Sequence, residues 1–264
     1  MALVEQLTSS ANPLLKDIRK AAARGSLTSG GYCICESFHL VEEAIRSKAR
    51  VGVLLVADHA LAGAERLFPQ LPGTRIISLE SPVFDAIATT ETTQGLMALV
   101  EAPRWPVDSL FGGIPLVVVL DGLQDPGNAG AAIRAAEAFG ASGVVFGKGT
   151  VSPHNPRTLR AAAGSLFRLP YIAGKDATEV TALLTERGCI PYAALPWSAG
   201  VKSAGETDLT KPVALIIGNE GAGVNPVYRE NAQPIAIRTQ GVESLNAAVA
   251  AAILMYEASR QRSA

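Results

Sequence analysis

Apolar residues in this chain come in short runs separated by polar, glycine- and proline-rich turns, and run length and periodicity divide them into strands and helices. Residues 12–23 predict a helix, with Pro13 suited to its first turn and Gly25 to its end. Residues 32–35, 51–56, 76–79 and 96–100 predict strands, with helices at 38–46 and 82–88. This alternation predicts a small α/β layer over residues 1–103. The stretch Glu101-Ala102-Pro103-Arg104-Trp105-Pro106, followed by Gly112-Gly113, predicts a linker at 104–113.

A second domain, residues 114–264, opens with the apolar run 115–120, which suits a strand buried on both faces of a parallel sheet. A turn-rich loop, 121–128, leads to a helix at 129–139 that Gly140 ends. Further strands are expected at 144–146, 192–195, 213–217 and 235–237, with helices near 157–163 and at 178–187. Strand, crossover and strand in repetition predict a parallel sheet. The last helix is expected to open at Ser244. Leu245, Ala248, Val249, Ala252, Ile253 and Tyr256 mark one apolar face, and Ala247, Ala251 and Leu254 a second. Two such faces predict a helix covered nearly all round, by the core on one side and a partner on the other.

Composition narrows the class. Hydrophobic residues make up 48% of the 264, enough for a substantial core, and the longest apolar run, 247–255, is too short to span a bilayer. Residues 1–10 lack the pattern of a secretory signal. Three cysteines, two of them Cys33 and Cys35, cannot by themselves build a disulfide framework or a four-ligand zinc site, so a reducing cytoplasm and no metal are expected. The net charge of −1 argues against indiscriminate coating of nucleic acid. Its distribution is less neutral. Lys148, Arg157, Arg160, Arg168 and Lys175 fall in a stretch without Asp or Glu, and Lys16, Arg19, Lys20 and Arg24 face only Asp17. Each patch is also explained by a solvated face; together they predict a track for a polyanion.

Three loops could carry chemistry. The first, residues 121–130, leaves a strand for a helix, the place where open α/β sheets bind ligands. It lacks the G-x-G-x-x-G order, and Gly147-Lys148-Gly149 stands where a ribose-binding acid would end the next strand, which weakens a nicotinamide-dependent oxidoreductase. Taken alone, it is explained as the start of a helix. Arg134 lies in that otherwise alanine-rich helix, and if semi-buried it needs an anionic partner. The second loop, Gly218-Asn219-Glu220-Gly221-Ala222-Gly223, can lie flat against a nucleoside, and Glu220 is the natural counter-charge for Arg134. A solvated loop acid explains Glu220 equally. In the third, Ser244 and Asn246 offer hydroxyl and amide groups beside the free N–H groups of a helix start, where Ser244 is also explained as a simple cap.

Asn128 with Arg134, then Gly218-Asn219-Glu220-Gly221-x-Gly223, then Glu243-Ser244-Leu245-Asn246 resemble, in this order, the three motifs of the SpoU (TrmH-like) RNA 2′-O-ribose methyltransferases of the SPOUT superfamily. Asn155-Pro156 and the run from Arg160 to Pro170 match the family's connecting segment, and the resemblance covers residues 116–260. Residues 1–103 more loosely resemble an L30e-like substrate-binding domain, through Ser9-x-x-Asn12-Pro13, Glu36 and Gln94-Gly95. The resemblance implies a SPOUT-type α/β parallel sheet with a C-terminal deep trefoil knot, and a homodimer packed through the last helix. It implies S-adenosyl-L-methionine held by Leu195, Pro196, Ile217, Gly218, Asn219, Gly221, Ile237, Leu245 and Asn246. Asn128, Arg134, Glu220, Ser244 and Asn246 would form the catalytic set. Lys16, Arg24, Arg157, Arg160 and Arg168 would contact RNA, by analogy ribosomal. Transfer RNA, or non-catalytic RNA binding on a retained fold, are the alternatives. One departure stands out: many members carry Ile-Pro before the last loop, whereas here Arg238 follows Ile237.

Overall fold

The structure, a computed structural model, describes residues 4–68, 71, 73–198 and 200–263. In chain order its elements are β1 (Val4–Leu7), α1 (Pro13–Arg24), β2 (Tyr32–Glu36), α2 (Phe38–Arg46), β3 (Val51–Ala57), α3 (Leu61–Leu67), β4 (Arg75–Leu79), α4 (Ser81–Asp85) and β5 (Leu96–Glu101). There follow β6 (Leu116–Asp121), α5 (Pro126–Ala138), β7 (Gly143–Phe146), α6 (Pro156–Ala161), β8 (Tyr171–Ala173), α7 (Ala177–Glu186), β9 (Ile190–Ala194), β10 (Val213–Gly218), α8 (Pro226–Asn231), β11 (Gln233–Ile235) and α9 (Ala247–Arg262). They form two compact units. One comprises residues 1–103 and 154–167, the other 104–153 and 168–264.

The first unit is built on a five-stranded mixed sheet ordered β1-β4-β3-β5-β2. β1 and β3 run parallel to β4, while β5 is antiparallel to β3 and β2. Its core gathers Leu15 and Ile18 from α1, Ile34, Leu55, Ile77, Met97 and Leu99 from the strands, and Phe84. α1 starts as its sequence dictates: Asn12 Oδ1 accepts Leu14 N–H at 2.9 Å, and Gly25 closes the helix at φ +59°. Lys16, Lys20 and Arg24, four residues apart, share its exposed face. Cys33 and Cys35 are buried in β2, and burial pushes the Cys33 thiol up to about 12, which leaves it unreactive. Glu36 is buried too. Its carboxylate accepts Thr89 N–H and hydroxyl, each at 2.5 Å, and the Thr90 hydroxyl at 2.6 Å, tying down the turn before β5. Residues 154–167, expected in the second domain, belong to this unit.

The second unit carries an all-parallel six-stranded sheet ordered β11-β9-β10-β6-β7-β8. Every residue of β6 is buried, as its unbroken apolar run requires. From β6 the chain moves outward through β7 and β8, then returns to build β9, β10 and β11 on the other side. The strand order therefore reverses between β6 and β10, where their carboxyl ends are joined by the loop that leaves β10. Gly218 pairs with Asp121 at that end. The expected linker is part of this unit. Leu110 is fully buried in the core with Val117, Val119 and Val145, its carbonyl accepts the Ser142 hydroxyl at 2.6 Å, and Asp108 pairs with Arg187 at 2.7 Å.

Two expectations at the C-terminal end are corrected. β11 covers Gln233–Ile235, so Ile237 lies beyond the strand, and Ala236 instead makes an isolated parallel bridge to Ser203. α9 begins at Ala247, with Asn246 and not Ser244 as its cap: Asn246 Oδ1 accepts the N–H groups of Ala248 and Val249 at 3.0 and 3.3 Å. An amide oxygen at that position reaches two free donors of the first turn, leaving the Ser244 hydroxyl to the preceding loop. One face of α9, Ala247, Ala251, Leu254, Met255 and Ala258, is buried; Val249, Ile253 and Tyr256 on the other are exposed.

Arg262 fastens the end of α9. Its guanidinium donates to the carbonyls of Leu209 (2.9 Å), Ile114 (2.8 Å), Pro115 (3.0 Å) and Lys211 (2.7 Å), bridging the start of β6 to the segment before β10. A planar fork is suited to four carbonyls at once; an ammonium is not. Arg262→Ala is expected to cost about 3 kcal/mol, given roughly 1.5–3 for hydrogen bonds to a charged group. At roughly 2–4 °C per kcal/mol for a domain of this size, thermal unfolding should drop by about 6–12 °C. Calorimetry of the variant measures it, and an unchanged midpoint contradicts the role.

Candidate active site

At the carboxyl ends of β9 and β10 the second unit has a cavity of about 300 Å³. Its wall is formed by residues 194–197, 217–224 and the loop from β11 into α9, including Ile235, Ile237, Thr239, Glu243, Ser244, Leu245, Ala247 and Ala250. Leu195, Pro196, Ile217, Gly218, Asn219, Gly221, Ile237 and Leu245, all expected at a cofactor site, line this one cavity. Asn246 does not; its side chain is turned toward α5 and the first turn of α9.

The β10 exit loop is folded by its own polar atoms. Asn219 and Gly223 exchange backbone hydrogen bonds at 3.1 and 2.9 Å, Asn219 Oδ1 accepts Gly221 and Ala222 N–H at 2.8 and 2.9 Å, and Asn219 Nδ2 donates to Gly122 O at 2.8 Å. Asn219 thus shapes the wall as well as lining it. Gly218 permits this fold, because a Cβ there would lie 2.5 Å from the backbone of Gly223 and Val224. The loop is anchored from beneath by Asp121, whose Oδ2 accepts Asn225 N–H at 2.6 Å. Burial pushes the Asp121 carboxyl up, and that N–H partly offsets it.

Three loops far apart in sequence meet through side chains. Asn128, in the first turn of α5, donates through Nδ2 to Glu220 Oε1 at 2.5 Å, and its Oδ1 accepts Asn246 Nδ2 at 3.0 Å. Asp125 caps that turn by accepting Asn128 N–H at 2.7 Å. Glu220 can only accept and the α9 N–H groups can only donate, so each amide in the chain from Glu220 through Asn128 to Asn246 has one possible orientation. The carboxylate is thereby linked to the positive end of α9.

The expected Arg134–Glu220 pair does not form. Glu220 is committed to Asn128, and Arg134 is exposed on α5 rather than semi-buried, without a hydrogen bond or ion pair among the described residues. Ser244 lines the cavity with its hydroxyl likewise free of described partners. Of the basic residues expected at RNA, Lys16, Arg24 and Arg157 are exposed and Arg160 is half-buried, all in the first unit. Arg168, in the second unit, is instead forked onto Glu137, Nε–Oε1 2.5 Å and Nη2–Oε2 3.0 Å, and Lys175 pairs with Glu179 at 3.3 Å. The acids that neutralise them lie outside the basic stretch, on other elements.

Arg238, the departure from the Ile-Pro pattern, has a defined place. Its guanidinium stacks 5.1 Å from the Trp197 ring centroid and pairs with Glu206. Hydrogen bonds from the backbone and hydroxyl of Ser203 hold the Glu206 carboxyl below the usual range, with Arg238 adding to the effect. The clamp joins the loop after β9 to the loop after β11. Sequence reasoning placed Trp197 in a cofactor loop but missed Glu206 and Arg229; the unusual Arg238 was the one available signal for Glu206.

A cavity at the carboxyl ends of adjacent strands of a parallel sheet, walled by glycine-bearing loops, is the kind of place where α/β proteins hold nucleotide cofactors. Residues 115–256 match the SpoU rRNA methylase family, and residues 12–98 match the MRM3-like substrate-binding domain. The chain belongs to the SpoU rRNA methylase family. It is 35% identical over 256 residues to the 23S rRNA (guanosine(2553)-2′-O)-methyltransferase RlmP of Bacillus subtilis, covering 96% of this chain and 98% of that one. Among solved structures it is similar to the SpoU methyltransferase AviRb from Streptomyces viridochromogenes in complex with AdoMet (TM-score 0.83, 26% identity, 95% and 99% of the two chains). It is also similar to the AdoMet-bound rRNA methyltransferase from Sinorhizobium meliloti (TM-score 0.81, 28% identity, 97% and 98%).

Proposed function

We propose that this protein is an S-adenosyl-L-methionine-dependent enzyme that methylates the ribose 2′-hydroxyl of a guanosine in 23S ribosomal RNA. The observation that carries the enzyme reading is the hydrogen-bond chain from Glu220 through Asn128 to Asn246, which draws three distant loops together beside the glycine-lined cavity; the guanosine of 23S ribosomal RNA is what the names of the relatives support. The cavity suits the cofactor. Leu195, Ile217, Ile237 and Leu245 offer an apolar bed for an adenine, and the tight turn that Gly218 permits lays the loop backbone beside it. Bound there, S-adenosyl-L-methionine supplies a methyl group on a sulfonium centre.

The task left to the side chains is positioning, since the ribose oxygen must be held in line with that methyl. A 2′-hydroxyl is a poor nucleophile until its proton is drawn off or its developing anion is stabilised. A guanidinium offers a planar fork of donors and no acceptor, so Arg134 acts as a clamp on the target phosphate and a stabiliser of the incipient alkoxide. Its exposure without a partner among the described residues fits that use. Ser244 presents a free hydroxyl, and Asn128 and Asn246 hold Glu220 in place. Asn128→Asp would replace the donor to Glu220 by a second carboxylate. Methyl transfer is expected to fall about a hundredfold with that variant; wild-type turnover would contradict the role.

The first unit is read as an L30e-like RNA-binding domain using Lys16, Arg24, Arg157 and Arg160, with Arg168 set aside because Glu137 holds it. The second unit is read as threaded into a C-terminal trefoil knot, which the parallel β11-β9-β10 order, the Ser203–Ala236 bridge and the family membership support. Val249, Ile253 and Tyr256 form an exposed apolar stripe on α9 that suits a homodimer. Ile253→Glu is expected to give monomers by sedimentation, and an unchanged mass would contradict that interface. Three free buried cysteines fit a reducing cytoplasm. Tritiated methyl transfer from S-adenosyl-L-methionine tests the activity: label should enter 23S ribosomal RNA, and label in transfer RNA alone, or none, overturns the reading.

A further inference from the structure

The described charges on the cavity wall are few. Glu220 and Glu243 are acidic, and Arg229 is the only cation among the described lining residues. Glu220 is already bonded to Asn128. Arg229 projects from α8, where Asn225 caps the helix by accepting Val227 N–H at 3.0 Å and is itself anchored to Asp121. Arg229 Nε donates to Val224 O at 2.8 Å, which fixes the plane of the guanidinium. Gly223 makes room for it: at φ +71° it carries no side chain, and a Cβ there would lie 2.8 Å from Arg229 Nη2. No described carboxylate pairs with Arg229. A cation fixed in a cavity wall without an anion is suited to a ligand that brings one.

We propose that Arg229 recognises the α-carboxylate of S-adenosyl-L-methionine, and so makes the site select the cofactor by its amino-acid end as well as its adenosine. This deepens the cofactor reading above and rests on it. The apolar and glycine walls can accept the adenosine half, but they offer nothing to a carboxylate. Withdrawing that carboxylate from water without a donor would weaken binding. The free Nη groups of Arg229 supply the donors, with little loss of side-chain freedom because Val224 already holds Nε.

Calorimetry with two ligands tests this. S-adenosylhomocysteine carries the amino-acid end; 5′-methylthioadenosine shares the adenosine and thioether but lacks it. For Arg229→Gln, affinity for S-adenosylhomocysteine should fall about ten- to hundredfold, the equivalent of one charge-assisted contact, while affinity for 5′-methylthioadenosine stays at the wild-type value. Arg229→Lys should fall in between. An Arg229→Gln protein that keeps full affinity for S-adenosylhomocysteine overturns the proposal. Equal weakening of both ligands also overturns it, since a role confined to folding the loop would act on both. A wild-type protein that binds neither ligand sinks the cofactor reading itself, and the proposal with it.

Discussion

Gly218→Ala is expected to abolish S-adenosylhomocysteine binding and to reduce methyl transfer by more than about a hundredfold, a loss that ångström-scale misplacement near a reacting centre can produce. The added Cβ would sit 2.5 Å from Gly223 C and Val224 N and 2.7 Å from Gly223 O. These are backbone atoms, so no rotamer change relieves the clash. The paired hydrogen bonds between Asn219 and Gly223 would have to open, and with them the wall that carries Glu220 and Arg229. Gly221→Ala is the matched control. Its Cβ would meet only Asn219 Oδ1, at 3.5 Å, an ordinary contact, so it should bind the ligand nearly as wild type. Titration calorimetry of the two variants compares them directly, and equal affinities would contradict the close-approach account.

Arg134→Lys is expected to keep the fold and most RNA affinity while losing roughly a hundred- to thousandfold in turnover, the range found when one preorganised donor to a developing anion is removed. Stability should not change, because Arg134 is exposed and bonded to nothing described. The lysine keeps the charge but cannot present the planar fork that grips a phosphate and an adjacent oxygen together. Single-turnover methyl transfer at saturating RNA reads the effect, and wild-type turnover in the lysine variant would refute the assignment.

Most of the scaffold was legible in the sequence because its signals are local. The unbroken apolar run of β6, the Asn12 cap with the Gly25 stop, and the glycine-bearing exits from β6 and β10 each act within a few residues. β1 has four residues and α3 seven, too short to rise above neighbouring turns. The expected linker at 104–113 shows why composition misleads: its prolines and glycines mark irregular backbone, yet Leu110 within it is a core residue. Of the candidate site, the residues that line one cavity were legible in the sequence, but their contacts were not. Opposite charge suggested Arg134 for Glu220, whereas the fold gives Glu220 to Asn128, 92 positions away. Which of two distant polar groups meets a carboxylate depends on strand order, and no periodicity in the chain encodes that. The same holds for Arg238, whose partners Trp197 and Glu206 come from segments preceding β10.

Mapping ribose 2′-O-methylation at nucleotide resolution across total RNA, from cells with and without this protein, tests the central claim most directly. The account predicts one guanosine of 23S ribosomal RNA that loses its methyl group without the protein and regains it with wild type but not with Arg134→Lys. Identical methylation maps, or a change confined to transfer RNA, would contradict it.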